Sequence, residues 1–231
     1  MAVDASDRHI TIRPDQAFLT DPATTYPVFL DPDHWCDSCG KQAHAVVQSG
    51  FANERNYNKT AGDLNNLKAG YETYDIAGTS RSYIQLNTAQ IAGTVVKSAS
   101  LNTTLLHSWN CDGATPTGLW LTDAINGDTT WNHQPAWTFG VSTSNVTNCN
   151  DARDVRMQFE AKSAAQFVAD RHAPNVTFVL ASTNENSGTS AWRTFDLNPY
   201  LQVDFNSYPN TPQGMAMQGG PVPCVRGDNR P

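Results

Sequence analysis

The densest group of potential metal ligands lies between residues 34 and 44. His34, Cys36, Cys39 and His44 offer two imidazoles and two thiols, which could complete a tetrahedral Zn²⁺ site. Structural zinc sites usually join two separated ligand pairs, whereas these four residues are close together in sequence. A local Cys36–Cys39 disulfide is therefore the stronger expectation. No βαβ pattern surrounds the CxxC to indicate a redox motif.

A second set of potential ligands consists of Asp123, Asn126 and Asp128, whose oxygens are of the type that Ca²⁺ prefers. The stretch lacks the EF-hand pattern and a terminal Glu. Asn-Gly followed by Asp is also the ordinary signature of a turn. The sequence predicts no cofactor, with structural calcium or zinc as the alternatives.

Catalytic signatures are absent from the sequence. There is no GxSxG, HExxH, P-loop or Gly-rich fingerprint, and the six histidines are scattered. The carboxylates form no acid–base pair that spacing can assign, because such pairs are set in space. We predict no catalytic residues and no enzyme activity.

Aromatic residues are the best candidates for a binding surface. Six tryptophans occur in 231 residues, and such rings either stack on sugars or fill β-sandwich cores. Trp120 alternates with two leucines, so it projects from the opposite face of its strand. The predicted ligand-binding residues, by stacking or hydrogen bonding, are Trp120, Trp109, Tyr57, Tyr83 and Arg81.

Composition and cysteine usage indicate an extracellular domain. The chain has 15 Lys+Arg against 22 Asp+Glu, a net charge of -7, which argues against nucleic-acid and anionic-membrane partners. Only 16% of residues are charged, and neutral polar residues replace them. Cys111 and Cys149 stand in separate turns and are natural disulfide partners in an oxidising compartment. Cys224 is left without an assigned partner.

Short alternating segments separated by turns predict an all-β fold, a jelly-roll β-sandwich of two antiparallel sheets with one short helix. The helix is predicted at 162–171, before Pro174. The predicted strands are 9–13, 25–31, 43–49, 67–72, 80–86, 95–107, 117–122, 154–160, 175–182, 192–197 and 200–206. We expect a β segment at 1–33, the sandwich at 34–207 and a Pro/Gly-rich linker to a following domain at 208–231.

Four segments together resemble the DNRLRE-type domain of large secreted actinobacterial proteins. They are AHAVVQSGFANERNYNKTAGDLNNLKAGYE, SRSYIQLNTAQIAGTVVKSASLNTTLLHS, GDTTWNHQPAW and AWRTFDLNPYLQVDF, in that order. The resemblance implies a jelly roll without a catalytic centre, and some relatives are carbohydrate-binding modules for acidic polysaccharides. Binding a polyanion favours clustered Lys and Arg, and this chain has few lysines, so no ligand residues are carried over.

The function predicted from the sequence is a secreted, non-catalytic module that binds polysaccharide. The alternative is a structural or protein-interaction spacer in a large secreted or polymorphic-toxin-like protein with no glycan site. The expected partners are polysaccharide and neighbouring domains of a larger chain, with no nucleic acid and no membrane. An enzyme would need a cleft of convergent ionisable groups, which the sequence does not assemble.

Overall fold

The computed structural model describes residues 2–6, 9–13, 15–24, 34–35, 39–74, 78–150, 153–186 and 188–206. They fall into two compact units, one within Met1–Asp31 and one within Pro32–Tyr208. The smaller unit contains the antiparallel pair β1 (Ala2–Ser6) and β2 (His9–Arg13), followed by helix α1 (Gln16–Thr20). The Asp15 carboxylate accepts a hydrogen bond from Ala17 N and caps this helix.

The larger unit is an antiparallel β-sandwich, which confirms the predicted all-β class. Its helix α2 (Lys162–Asp170) is the short helix expected at 162–171. Its strands are β3 (His34–Trp35), β4 (Lys41–Gln48), β5 (Leu67–Glu72), β6 (Gly78–Asn87), β7 (Val95–Ser108), β8 (Thr117–Thr122), β9 (Trp137–Ser144), β10 (Val155–Glu160), β11 (Asn175–Ser182), β12 (Arg193–Phe195) and β13 (Tyr200–Asn206).

The long strand β7 organises the first sheet, in which β10, β12 and β13 all pair with it and β3 pairs with β13. The second sheet has the order β4-β6-β11-β8-β9. Strand β5 belongs to both, because Leu67–Ala69 pair with β12 and Gly70–Glu72 pair with β6. One strand therefore turns the corner between the two sheets.

The inward-facing residues of both sheets form one core. Leu101, Met157 and Phe159 from the first sheet pack in the same cluster as Ile84 and Phe178 from the second. Alternation along β10 buries Met157 and Phe159 and exposes Arg156, Gln158 and Glu160. Each large apolar side chain buried in this way contributes about 1.5–3 kcal/mol to stability.

Gly70 permits the corner in β5. Its φ of +100° is a conformation that other residues rarely adopt, and an added Cβ would lie 2.5 Å from the backbone oxygen of Ala191. Both conditions exclude a side chain at this position.

We expect Gly70→Ala to lower the free energy of unfolding by about 2 kcal/mol, because it adds backbone strain and a clash with immobile backbone. Urea unfolding measures this loss. Gly113→Ala is the matched control, since Gly113 also has positive φ but open space around it. Equal losses in the two variants would show that the contact with Ala191 has no role.

Some predicted elements differ from the structure. Strand β9 (Trp137–Ser144) was not predicted, because its Gly, Ser and Thr residues obscure the alternation of Trp137, Phe139 and Val141. Strands β1 and β3 and helix α1 were also not predicted. The strand expected at 25–31 and the linker expected at 208–231 lie outside the described residues.

Candidate functional site

The loop between β8 and β9 is held against the outer face of the second sheet by Arg81. Its Nε and Nη2 each donate to one carboxylate oxygen of Glu185 at 2.7 Å, and Nη1 donates to Gln134 Oε1 at 2.8 Å. Its guanidinium carbon lies 4.6 Å from the ring centroid of Trp131 and 5.0 Å from that of Trp137. Bidentate pairing with a carboxylate combined with ring stacking is a geometry specific to arginine.

Tyr83 extends this network from the neighbouring outward position of β6. Its buried hydroxyl donates to Gln134 Oε1 at 2.8 Å and accepts a hydrogen bond from Trp137 Nε1 at 3.0 Å. Burial raises the pKa of the Tyr83 phenol, against smaller opposing effects of the Trp137 hydrogen bond and the Arg81 charge. The Tyr83 side chain is therefore not free to bind a ligand.

Trp120 and Tyr57 also lie on this face. The Trp120 ring covers Gly118 on its own strand, where an added Cβ would lie 2.2 Å from the ring, and it approaches Gly140, its partner on β9, where the distance would be 3.3 Å. It stacks against Trp137 with ring centroids 4.9 Å apart. Trp120 is half-buried rather than an open platform, and half-buried Tyr57 packs against the same apolar residues.

We call this set the Arg81 cluster: Arg81, Tyr83, Trp120, Trp131, Gln134, Trp137 and Glu185. It contains three of the five predicted binding residues, namely Arg81, Tyr83 and Trp120. Sequence reasoning missed the other four. Because Glu185 compensates the positive charge of Arg81, the cluster holds a loop in place and offers no free cation to a ligand.

Trp109, the remaining predicted residue, does not belong to the Arg81 cluster. It is 46% exposed and packs against Tyr74, which is 73% exposed, with ring centroids 5.2 Å apart and ring planes tilted by 45°. The backbone N–H of Trp109 donates to the carbonyl of Trp192 at 3.1 Å, which fixes its position. These two rings, which we call the Tyr74–Trp109 pair, form an exposed aromatic surface.

Cys111 follows Trp109 by two residues, and a disulfide joins it to Cys149. Disulfides persist in oxidising compartments, so this bridge is typical of a protein that folds outside the reducing cytosol. Among the described residues, no helix is long and apolar enough to cross a membrane.

The zinc alternative is wrong for Cys39, because its sulfur is in a disulfide and cannot be a thiolate ligand. The predicted partner, Cys36, lies outside the described residues, as does Cys224. His44 is buried, its Nε2 lies 3.0 Å from the carbonyl oxygen of Lys59, and burial lowers its pKa. The position of the His34 side chain lies outside what the structure describes.

Two of the three predicted calcium ligands make contacts within the protein, and calcium binding stays a prediction. Asn126 Oδ1 accepts a hydrogen bond from the backbone N–H of Asp128 at 2.8 Å, as in an ordinary Asx turn. The Asp128 carboxylate pairs with Arg55 Nη2 at 3.1 Å. The described ranges contain no group of three His, Cys, Asp or Glu residues that could hold a metal ion.

The Arg55–Asp128 pair borders an open cleft of about 420 Å³ that His133 also lines, with Asn53 and Thr130. The backbone N–H of His133 donates to Thr130 Oγ1 at 3.1 Å, and this hydrogen bond fixes the backbone position of His133. An imidazole, a carboxylate and a guanidinium are residue types that general acid–base chemistry uses. These groups line one cleft, and the spacing of the residues in the sequence did not reveal it.

A second groove, of about 260 Å³, lies on the outer face of the first sheet. Its lining residues are Asn102, Thr103, Thr104, Asp154, Arg156, Asn198 and Tyr200. The strand register places Tyr200 opposite Asn102, and Arg156 opposite Thr104. Outward positions on three adjacent strands therefore meet in one polar groove.

Comparison with known proteins identifies relatives named as nucleases, and no family model matches the chain. The chain is 33% identical over 141 residues to "tRNA3(Ser)-specific nuclease WapA" of Bacillus spizizenii. It has the same identity over the same length to "tRNA nuclease WapA" of Bacillus subtilis and "tRNA(Glu)-specific nuclease WapA" of Bacillus subtilis subsp. natto. Each match covers 55% of this chain and 6% of the relative.

These relatives correct the function predicted from the sequence. The matched proteins are named for cleavage of tRNA. The prediction of a non-catalytic polysaccharide module or a spacer is therefore wrong. The predictions of no enzyme activity and of no nucleic-acid partner are wrong for the same reason. The three relatives named above come from Bacillus. Net charge misled the prediction because it excludes neither base stacking nor a local cation.

Proposed function

We propose that this β-sandwich serves a secreted nuclease that acts on tRNA, and that its own contribution is to contact the RNA. The observation that carries the proposal is the 33% identity over 141 residues to three proteins named as tRNA nucleases. The chain spans 6% of the length of these relatives, so we propose the cleavage activity for the whole protein. From the sequence resemblance described above, we also propose that the sandwich is a DNRLRE-type domain.

The Tyr74–Trp109 pair is the surface that we assign to the RNA. Proteins recognise unpaired RNA bases, as in tRNA loops, by stacking them on aromatic side chains. Each stacked base contributes about 1–3 kcal/mol and needs no cationic surface. This mode suits a chain of net charge -7 better than contacts to many phosphates.

The disulfide supports both the location and the binding mode. Cys111 follows Trp109 by two residues and is linked covalently to Cys149. A loop fixed in this way loses less conformational entropy when a base stacks on it. The same bridge requires an oxidising environment, which fits the proposed extracellular location.

We expect Trp109→Ala to weaken tRNA binding about tenfold, the loss of roughly 1.4 kcal/mol of stacking energy. Fluorescence anisotropy with end-labelled, unmodified tRNA measures the dissociation constant. Phe51→Ala is the control, because Phe51 is a similarly exposed aromatic residue without a stacked partner ring among the described residues.

The proposal is wrong if the wild-type chain fails to bind tRNA even at low salt. It is also wrong if Trp109→Ala and Phe51→Ala weaken tRNA binding equally. The same samples, separated on denaturing gels, report cleavage. Cleavage that His133→Gln abolishes would place the reaction at the Arg55–His133 cleft, within this chain.

A further inference from the structure

We propose that the groove on the outer face of the first sheet binds a phosphodiester of the RNA backbone, with Arg156 as the cation. This inference rests on the proposed function, because RNA is the polymer that would present the phosphodiester. The groove is formed by strands β7, β10 and β13. It shares no residue with the Arg81 cluster or with the Tyr74–Trp109 pair.

Arg156 is held in position by a buried amide. Its Nε and Nη2 donate to Asn102 Oδ1 at 3.3 and 2.7 Å. The amide nitrogen of Asn102 in turn donates to the carbonyl oxygen and the hydroxyl of Ser100, each at 3.1 Å. Because only 1% of Asn102 is exposed, this residue is fixed and orients the guanidinium.

Arg156 forms no direct ion pair with a carboxylate of the described residues. Its hydrogen-bond partners there are the neutral amide of Asn102 and the neutral hydroxyl of Tyr200, 3.4 Å from Nη2. Arg81 and Arg55, in contrast, pair with Glu185 and Asp128. A guanidinium oriented by neutral partners keeps its full charge for a ligand.

The other groups of the groove suit a singly charged phosphate diester. Nη1 of Arg156 has no hydrogen bond within the described part of the chain, and the Tyr200 hydroxyl and the Asn198 amide add neutral donors. The Asp154 carboxylate lines the same groove. Its repulsion would disfavour a doubly charged terminal phosphate more than the singly charged diester of a polynucleotide.

The first test measures how tRNA affinity depends on salt. One lost phosphate contact reduces the slope of log K against log salt by about 0.7–0.9. We expect Arg156→Gln to reduce the slope by this amount and to weaken binding about tenfold. Arg156→Lys should retain the slope. Arg171→Gln is the matched control and should keep the wild-type slope, because Arg171 is an exposed arginine that does not line the groove.

The second test is independent of tRNA. Dimethyl phosphate is added to the wild-type chain, and the Nε–Hε signal of Arg156 is followed by NMR. We expect this signal to move with saturation, and dimethyl phosphate to cause a larger shift than methyl phosphate at equal concentration.

The two tests separate the failure of this inference from the failure of the proposed function. If tRNA binds and Trp109→Ala weakens it, an unchanged salt slope in Arg156→Gln overturns the phosphate site alone. If the wild-type chain does not bind tRNA, the proposed function fails. The groove is then judged by the NMR titration, in which an unmoved Arg156 signal would overturn it.

Discussion

Replacing both Cys111 and Cys149 by serine is expected to lower the free energy of unfolding by about 4 kcal/mol. The bridge closes a loop with a sequence separation of 38 residues. Restricting an unfolded chain over that length removes this much conformational entropy in the chain-entropy model. A loss of this size is a large fraction of the stability of an ordinary domain.

Guanidinium unfolding of the double variant and the oxidised wild type gives the difference. The Cys111→Ser single variant should lose nearly as much stability as the double variant, since either change removes the bridge. Equal stability of all three proteins would contradict the prediction. The tRNA affinity of the double variant should also fall, because Trp109 then lies on a loop that must be ordered on binding.

Replacing Arg81 by methionine is expected to cost about 3 kcal/mol, the effect of removing one partner from a largely buried ion pair. The side chains of Arg81 and Glu185 are 20% and 28% exposed. The substitution leaves the Glu185 carboxylate uncompensated and removes the cation that lies over Trp131 and Trp137.

The control for Arg81 is Arg55→Met, in which the exposed pair with Asp128 is lost. Exposed pairs contribute about 0–1 kcal/mol, so this change should have little effect. Thermal unfolding measures both variants, and the NMR signal of the Trp137 indole N–H, which donates to the Tyr83 hydroxyl, reports the cluster directly. An Arg81→Met protein as stable as Arg55→Met would show that the cluster does not hold the loop.

The strands were predictable where apolar and polar residues alternate without interruption. Strands β8 and β13 begin and end at the predicted residues, and α2 differs from its prediction by one residue. Strand β9 could not be found in this way, because Gly140 stands opposite Trp120 and breaks the pattern. The tertiary contact that explains this glycine is invisible in the local sequence.

The candidate sites were harder to predict than the strands. Alternation along β10 and β13 leaves Arg156 and Tyr200 exposed, but only the strand register with β7 shows that they meet beside Asn102. Arg81 was selected as a ligand-binding residue, yet it is paired with Glu185, 104 residues away in sequence. Pairings over such distances depend on the folded topology, which the spacing of residues does not contain.

Ultraviolet crosslinking of bound tRNA, followed by mass spectrometry of the peptides, maps directly where tRNA contacts this chain. We predict a crosslinked peptide that contains Trp109 or Tyr74, and loss of this crosslink in Trp109→Ala with the fold unchanged. Crosslinks confined to other faces of the sandwich, or none in the presence of bound tRNA, would contradict the claim that this aromatic pair contacts the RNA.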